Sequence, residues 1–181
     1  MSNKGIIIVT GASRGIGAAI ALMLADAGYT IACLSRKGEL PSVSGASEAS
    51  LARCKAYATD VTNSESLRKT FSSIALQDIP IVGLVNNAGI HLEGPSHTFS
   101  EEDYQAVFAT NTSSVFMSCQ HIYPHLISAG GGLIVNIGSF FDKLGVKRNL
   151  AYCASKAAVG AITRCLAVEW ASKGIRVIDV A

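Results

Sequence analysis

Gly5-Ile6-Ile7-Ile8-Val9-Thr10-Gly11-Ala12-Ser13-Arg14-Gly15-Ile16-Gly17 decides the reading of this chain. Ile6 to Val9 are β-branched and apolar without polar alternation, the pattern of a strand covered on both faces. A glycine-rich turn follows at once and opens a segment of helical period, Gly15 to Ala27. Such a turn can aim backbone N–H groups and the positive end of a helix at phosphate. Gly11 permits the tight turn, Gly15 lets the backbone approach a ligand, and Gly17 allows close helix packing. The spacing is G-x-x-x-G-x-G, not the commoner G-x-G-x-x-G. Alone the motif is weak, because a glycine cluster at a strand–helix turn can be purely structural.

Outward from this turn, apolar runs alternate with helical segments. Strands are predicted at Gly5–Thr10, Tyr29–Ser35, Lys55–Thr59, Ile81–Asn86, Leu133–Gly138 and Ile175–Val180. Helices are predicted at Gly15–Ala27, Ala46–Cys54, Ser64–Leu76, Glu101–Ala129 and Ala151–Lys173. Alternation of this kind gives an α/β fold, a doubly wound parallel sheet of order 3-2-1-4-5-6 in a single domain over residues 1–181. Pro124 is expected to kink the fourth helix or to split off its last turns. Residues 37–46 read as a surface loop.

The chain has 181 residues, 49% of them apolar, which suffices for a sizeable core. Fifteen basic residues against 13 acidic ones, with no run of like charge, leave no footprint for nucleic acid or an anionic membrane. The apolar stretch near the N-terminus is too short for a signal sequence or a membrane span, so a cytoplasmic protein is expected. Five cysteines without a C-x-x-C pair suggest neither a disulfide framework nor zinc, and read as small core residues.

At the end of the second predicted strand stands Ser35-Arg36, where a carboxylate for a ribose 2′-hydroxyl would be expected. Arg36 and Arg14 could instead grip a 2′-phosphate, which favours NADP over NAD, although each could also be a solvated surface cation. Farther along, Tyr152 and Lys156 lie four residues apart on one helical face. A phenol with a pKa near 10 shuttles protons poorly at neutral pH, and a nearby ammonium favours its ionised form. Ser139 ends the fifth predicted strand, at the carboxyl edge where open α/β sheets bind ligands. A hydroxyl there can donate to an oxygen on which charge develops. Asn111, a poor helix former inside the fourth helix, is a candidate for a local irregularity.

Thr10 to Gly17, Asp60-Val61, Asn86-Asn87-Ala88-Gly89, Asn111, Ser139 and Tyr152-x-Ala154-Ser155-Lys156 occur here in one order. In these residues the chain resembles the short-chain dehydrogenase/reductase family from Ile6 to Val180, with a Rossmann-type fold. The resemblance implies hydride transfer between NADP(H) and a small carbonyl or alcohol substrate, such as a ketone or a 3-oxoacyl thioester. It implies cofactor contacts from Gly11, Ser13, Arg14, Gly15, Ile16, Gly17, Arg36, Asp60, Val61, Asn87, Ala88, Gly89, Tyr152 and Lys156. Tyr152 is the implied proton donor, Ser139 steadies the oxygen, and Lys156 binds the nicotinamide ribose. A proton relay through water at Asn111 completes the implied set, and no metal is required. Pairing of copies through the helices near 101–129 and 151–173 is implied as well, with a tetramer if the full chain is present.

Two departures stand out. The sequence stops at Val180-Ala181, so a substrate-covering loop and a seventh strand are expected to be missing. A binding or scaffold protein without turnover is therefore the alternative function. The stretch Phe140 to Asn149 is unlike that of the 3-oxoacyl-carrier-protein reductases. Phe140 and Phe141 could wall a substrate pocket or merely pack beneath the loop, and His91 lies near the same place.

Overall fold

The computed structural model describes residues 4–181. Six parallel strands form one sheet: β1 (Ile6–Thr10), β2 (Thr30–Ser35), β3 (Cys54–Ala58), β4 (Ile81–Asn86), β5 (Gly132–Ile137) and β6 (Ile175–Val180). Their order is β3-β2-β1-β4-β5-β6, as the alternating pattern predicts. The helices are α1 (Gly15–Asp26), α2 (Glu48–Leu51), α3 (Ser64–Ala75), α4 (Glu101–Phe108), α5 (Ser114–Ser128) and α6 (Leu150–Trp170).

Strand geometry divides the core. Ile6 and Ile8 face a cluster with Phe71 of α3, Ile122 and Leu126 of α5, and Val159 and Trp170 of α6. Ile7 and Val9 point the other way, into a cluster with Ala21 and Ala25 of α1. Burying each Ile, Leu or Phe side chain stabilises the fold by roughly 1.5–3 kcal/mol. The small residues on α1 let that helix lie close to β1 and β2, which brings the glycine turn over the carboxyl edge of the sheet.

Three local expectations change. The second helix is a single turn, not Ala46–Cys54, because Cys54 and its neighbours pair with β2 from Ile31 onward. Ser47 caps it, accepting from Ser50 N–H at 3.1 Å. The long fourth helix does not break at Pro124, which sits inside a continuous α5. Pro124 and Gln120 both lie on the solvent side, where the carbonyl freed by the missing N–H can be hydrated. The interruption falls instead on the π-helical turn Ala109–Ser113, around Asn111. Of the cysteines, only Cys33 and Cys119 are fully buried, Cys54 and Cys153 are half-buried, and Cys165 is exposed.

Candidate functional site

The glycine turn is built around Thr10, the last residue of β1. Its hydroxyl donates to Val85 O at 3.4 Å and accepts from the N–H groups of Asn87 and Ala88, each at 3.0 Å. Asn87 returns the contact, its Nδ2 donating to Thr10 O at 3.1 Å and Gly11 O at 3.2 Å. The turns after β1 and β4 are thus tied into one floor.

Gly11 and Gly15 both have positive φ, 65° and 58°. A Cβ on Gly11 would lie 2.9 Å from Ala88 Cα, whereas one on Gly15 would meet nothing within 4 Å. Gly15 therefore faces open space, which is what a backbone approached by a ligand requires.

That space is a cleft of about 430 Å³. Gly11, Ser13, Arg14 and Gly15 line one side, Arg36 and Asp60-Val61 the second, and Asn87 to Ile90 the third. The cleft lies along the carboxyl ends of β1, β2 and β4, the edge at which open parallel α/β sheets bind ligands. Ile16 is exposed at the helix start without lining this cleft, and Gly17 is buried as a packing residue. Asp60 makes a local turn, its Oδ1 accepting from Thr62 N–H at 2.9 Å and Thr62 O–H at 2.7 Å. An adjoining hollow is lined by Ser13, Arg14, Ser35, Arg36, Lys37 and Glu39.

Asn111 occupies the π turn and is 1% exposed. Its amide is fully engaged: Oδ1 accepts from Ile90 N–H at 2.8 Å, while Nδ2 donates to Ile90 O at 2.9 Å and Ser155 Oγ at 3.1 Å. Ser155 O–H donates in turn to Tyr152 O at 2.8 Å. The asparagine therefore fastens the loop after β4 to the first turns of α6. Replacing Asn111 by Ala should cost about 2–4 kcal/mol, because two backbone groups of Ile90 lose their partners inside the fold. Thermal or urea unfolding measures this, and an unchanged midpoint would contradict it.

Tyr152 and Lys156 stand on α6, which packs where β5 ends, and Ser139 follows β5 directly. Lys156, 6% exposed, donates from Nζ to Ile137 O at 2.6 Å, two residues before Ser139. The same ammonium lies 5.8 Å from the centre of the Tyr152 ring. Ser139 Oγ accepts from Phe141 N–H at 3.2 Å, and Phe141 meets Tyr152 edge to face at 5.8 Å. Burial pushes the Lys156 ammonium below its ordinary range, an effect opposed by the charge of Asp179.

Some participants carry no strong sequence signal. His91 packs on Tyr152 with ring centres 4.5 Å apart and is hydrogen bonded to the Asn149 side chain. Asn86 Nδ2 donates to Asn136 Oδ1 at 2.9 Å, and Asn136 Nδ2 to Thr163 Oγ1 at 2.8 Å, a buried chain linking β4, β5 and α6. Asn136 was visible only as a polar residue inside an apolar strand.

The short chain dehydrogenase family model matches residues 5–181. A D-threitol dehydrogenase from Mycolicibacterium smegmatis is 34% identical over 173 residues, covering 95% of this chain and 66% of that protein. An NAD-dependent glycerol dehydrogenase from Listeria innocua is 33% identical over 172 residues, covering 95% and 67%. A metagenomic short-chain oxidoreductase crystallised in complex with NADP superposes with a TM-score of 0.89 at 30% identity, covering 99% of this chain and 81% of that one. The chain spans about two thirds of the length of the curated relatives it matches. With a match over nearly every residue, the chain belongs to the short chain dehydrogenase family.

Proposed function

We propose that this chain is the catalytic domain of an oxidoreductase that transfers hydride between NADP(H) and a small carbonyl or alcohol substrate. The observation that carries the reading is the Tyr152–Lys156 pair on α6, with Lys156 anchored on Ile137 O, two residues before Ser139 at the carboxyl end of β5.

In this reading Gly11, Ser13, Arg14, Gly15, Asp60, Val61, Asn87, Ala88 and Gly89 hold the dinucleotide, with Ile16 and Gly17 shaping the turn. The dinucleotide, when bound, supplies or accepts the hydride. Tyr152 gives a proton to the substrate oxygen during reduction and removes it during oxidation. Lys156 favours negative charge on the phenol oxygen and holds the nicotinamide ribose. Ser139 donates a hydrogen bond to the same substrate oxygen as charge builds there. Asn111, its side chain fully engaged, serves by shaping the π turn whose backbone holds water for the proton relay.

The preference for NADP rests on Arg14, Arg36 and Lys37 around the hollow at the end of β2. Arg36→Ala should weaken NADPH binding by about 10- to 100-fold, the worth of one charge-assisted contact, and leave NADH within about threefold. A fluorescence titration with both nucleotides checks this. Equal losses for both would place Arg36 away from the 2′-phosphate. The activity itself is tested by NADPH oxidation against a panel of ketones, 3-oxoacyl thioesters and sugar-like carbonyls.

Association of copies belongs to the same reading. A groove between α5 and α6 exposes Phe116 and is lined by Tyr123, Leu166 and Trp170, with Val168 83% exposed nearby. A cytoplasmic setting is supported by free cysteines and by helices none of which is long and apolar enough to cross a membrane, among the described residues.

A further inference from the structure

Two carboxylates lie enclosed behind the Tyr–Lys pair, and no step above uses them. Asp179 is on β6, on the side that carries Ile175 and Val177 into the core beneath α6. Asp142 closes the 3-10 turn that follows Ser139. One oxygen of each, Oδ1, is buried without a hydrogen-bond partner. Such an oxygen is costly unless something else compensates its charge.

Two glycines make the room. A Cβ on Gly138, between Ile137 and Ser139, would stand 2.4 Å from Asp179 Oδ1. A Cβ on Gly160, one turn beyond Lys156, would lie 3.7 Å from Asp142 Oδ2 and 3.9 Å from Asp179 Oδ2. The carboxylates thus gather over Gly160, and Asp179 abuts the backbone beside the carbonyl that receives the Lys156 ammonium.

The charged groups facing this cluster are Lys156, Lys143 and Arg164, the last with Nη1 3.4 Å from the same Gly160 position. Among the described residues none of them forms an ion pair with either carboxylate. The charges therefore act on one another without direct contact. Burial, and then Asp142, raise the Asp179 carboxyl above its ordinary range, while Lys156, the Val180 backbone and Lys143 oppose the rise.

A buried ammonium has three donors to satisfy, and a single carbonyl accepts from this one. We propose that Asp179, with Asp142 beside it, is the counter-charge of Lys156, a positioning residue that keeps the ammonium charged within the proton-transfer site. The inference rests on the site assignment above for its consequence in turnover, but not for the charge interaction itself. A negative charge facing Lys156 favours its ammonium form and so extends the working range on the alkaline side.

The test is an NMR pH titration of the protein labelled with 13C at lysine Cε, the Lys156 signal being assigned with Lys156→Arg. In Asp179→Asn the Lys156 midpoint should fall by about one pH unit, a tenfold change in the ammonium-to-amine ratio. The alkaline limb of NADPH-dependent turnover should move with it. An unmoved Lys156 midpoint overturns the proposal. If Asp179→Asn does not fold, the smaller Asp179→Ser carries the test in the same titration: the Lys156 midpoint should fall likewise, and an unmoved one overturns the proposal. A shifted lysine midpoint in a protein that reduces no carbonyl supports the counter-charge while removing the proposed function. Carbonyl reduction with identical alkaline limbs and lysine midpoints in wild type and Asp179→Asn does the reverse.

Discussion

Tyr152→Phe should lower kcat by about 10²- to 10⁴-fold and leave NADPH affinity within about twofold, the signature of a lost proton donor in an otherwise intact site. The ring contacts explain why the damage should be confined to chemistry. His91 at 4.5 Å and Phe141 at 5.8 Å touch the aromatic ring, which phenylalanine preserves. Lys156 remains anchored on Ile137 O. The melting temperature should therefore stay close to that of the parent, while reduction of whichever carbonyl the wild type accepts fails at every pH. Retention of full kcat by Tyr152→Phe would transfer the proton step to another group, and His91 would be the first to examine.

The sheet and the glycine turn were legible in the sequence because they obey local rules. Continuous β-branched runs such as Ile6 to Val9 identify covered strands, and a glycine turn between strand and helix marks the ligand edge. The pairing of β2 with β3 from Cys54 onward was not legible. Ala46 to Cys54 has helical composition, and only tertiary hydrogen bonding draws its end into the sheet. Asn111 was legible as an awkward helix residue, but its partners Ile90 and Ser155 lie 21 and 44 residues away. Pro124 misled for a related reason: the cost of a proline depends on whether the freed carbonyl faces water, which the chain folded in space decides. Asp142 and Asp179 were invisible as a unit, since they are 37 residues apart in sequence and meet only over Gly160.

Gly17→Val should be the most damaging substitution to the fold near the cleft, and it should abolish cofactor binding as a consequence. A Cβ at Gly17 would stand 2.3 Å from Gly11 O and 2.4 Å from Asn87 Nδ2. Neither neighbour can retreat cheaply. Gly11 O belongs to the turn itself, and Asn87 Nδ2 is held by Thr10 O and Gly11 O at 3.1 and 3.2 Å. Relief requires the start of α1 to lift from the turns after β1 and β4, which unpacks Ala18 and Ala21 from the sheet. Overpacking of this kind costs about 1–3 kcal/mol for one methyl and more for a branched side chain. Gly15→Ala supplies the contrast. With φ of 58° and no neighbour within 4 Å, it should cost the fold about 1 kcal/mol of backbone strain. Yet its methyl would project into the cleft, so nucleotide affinity should fall at least tenfold at nearly unchanged stability. Differential scanning calorimetry and NADPH titration on the two variants separate the roles. If Gly15→Ala binds NADPH as the wild type does, the cleft at the glycine turn is not where the phosphates sit, and the assignment of the cofactor site fails with it.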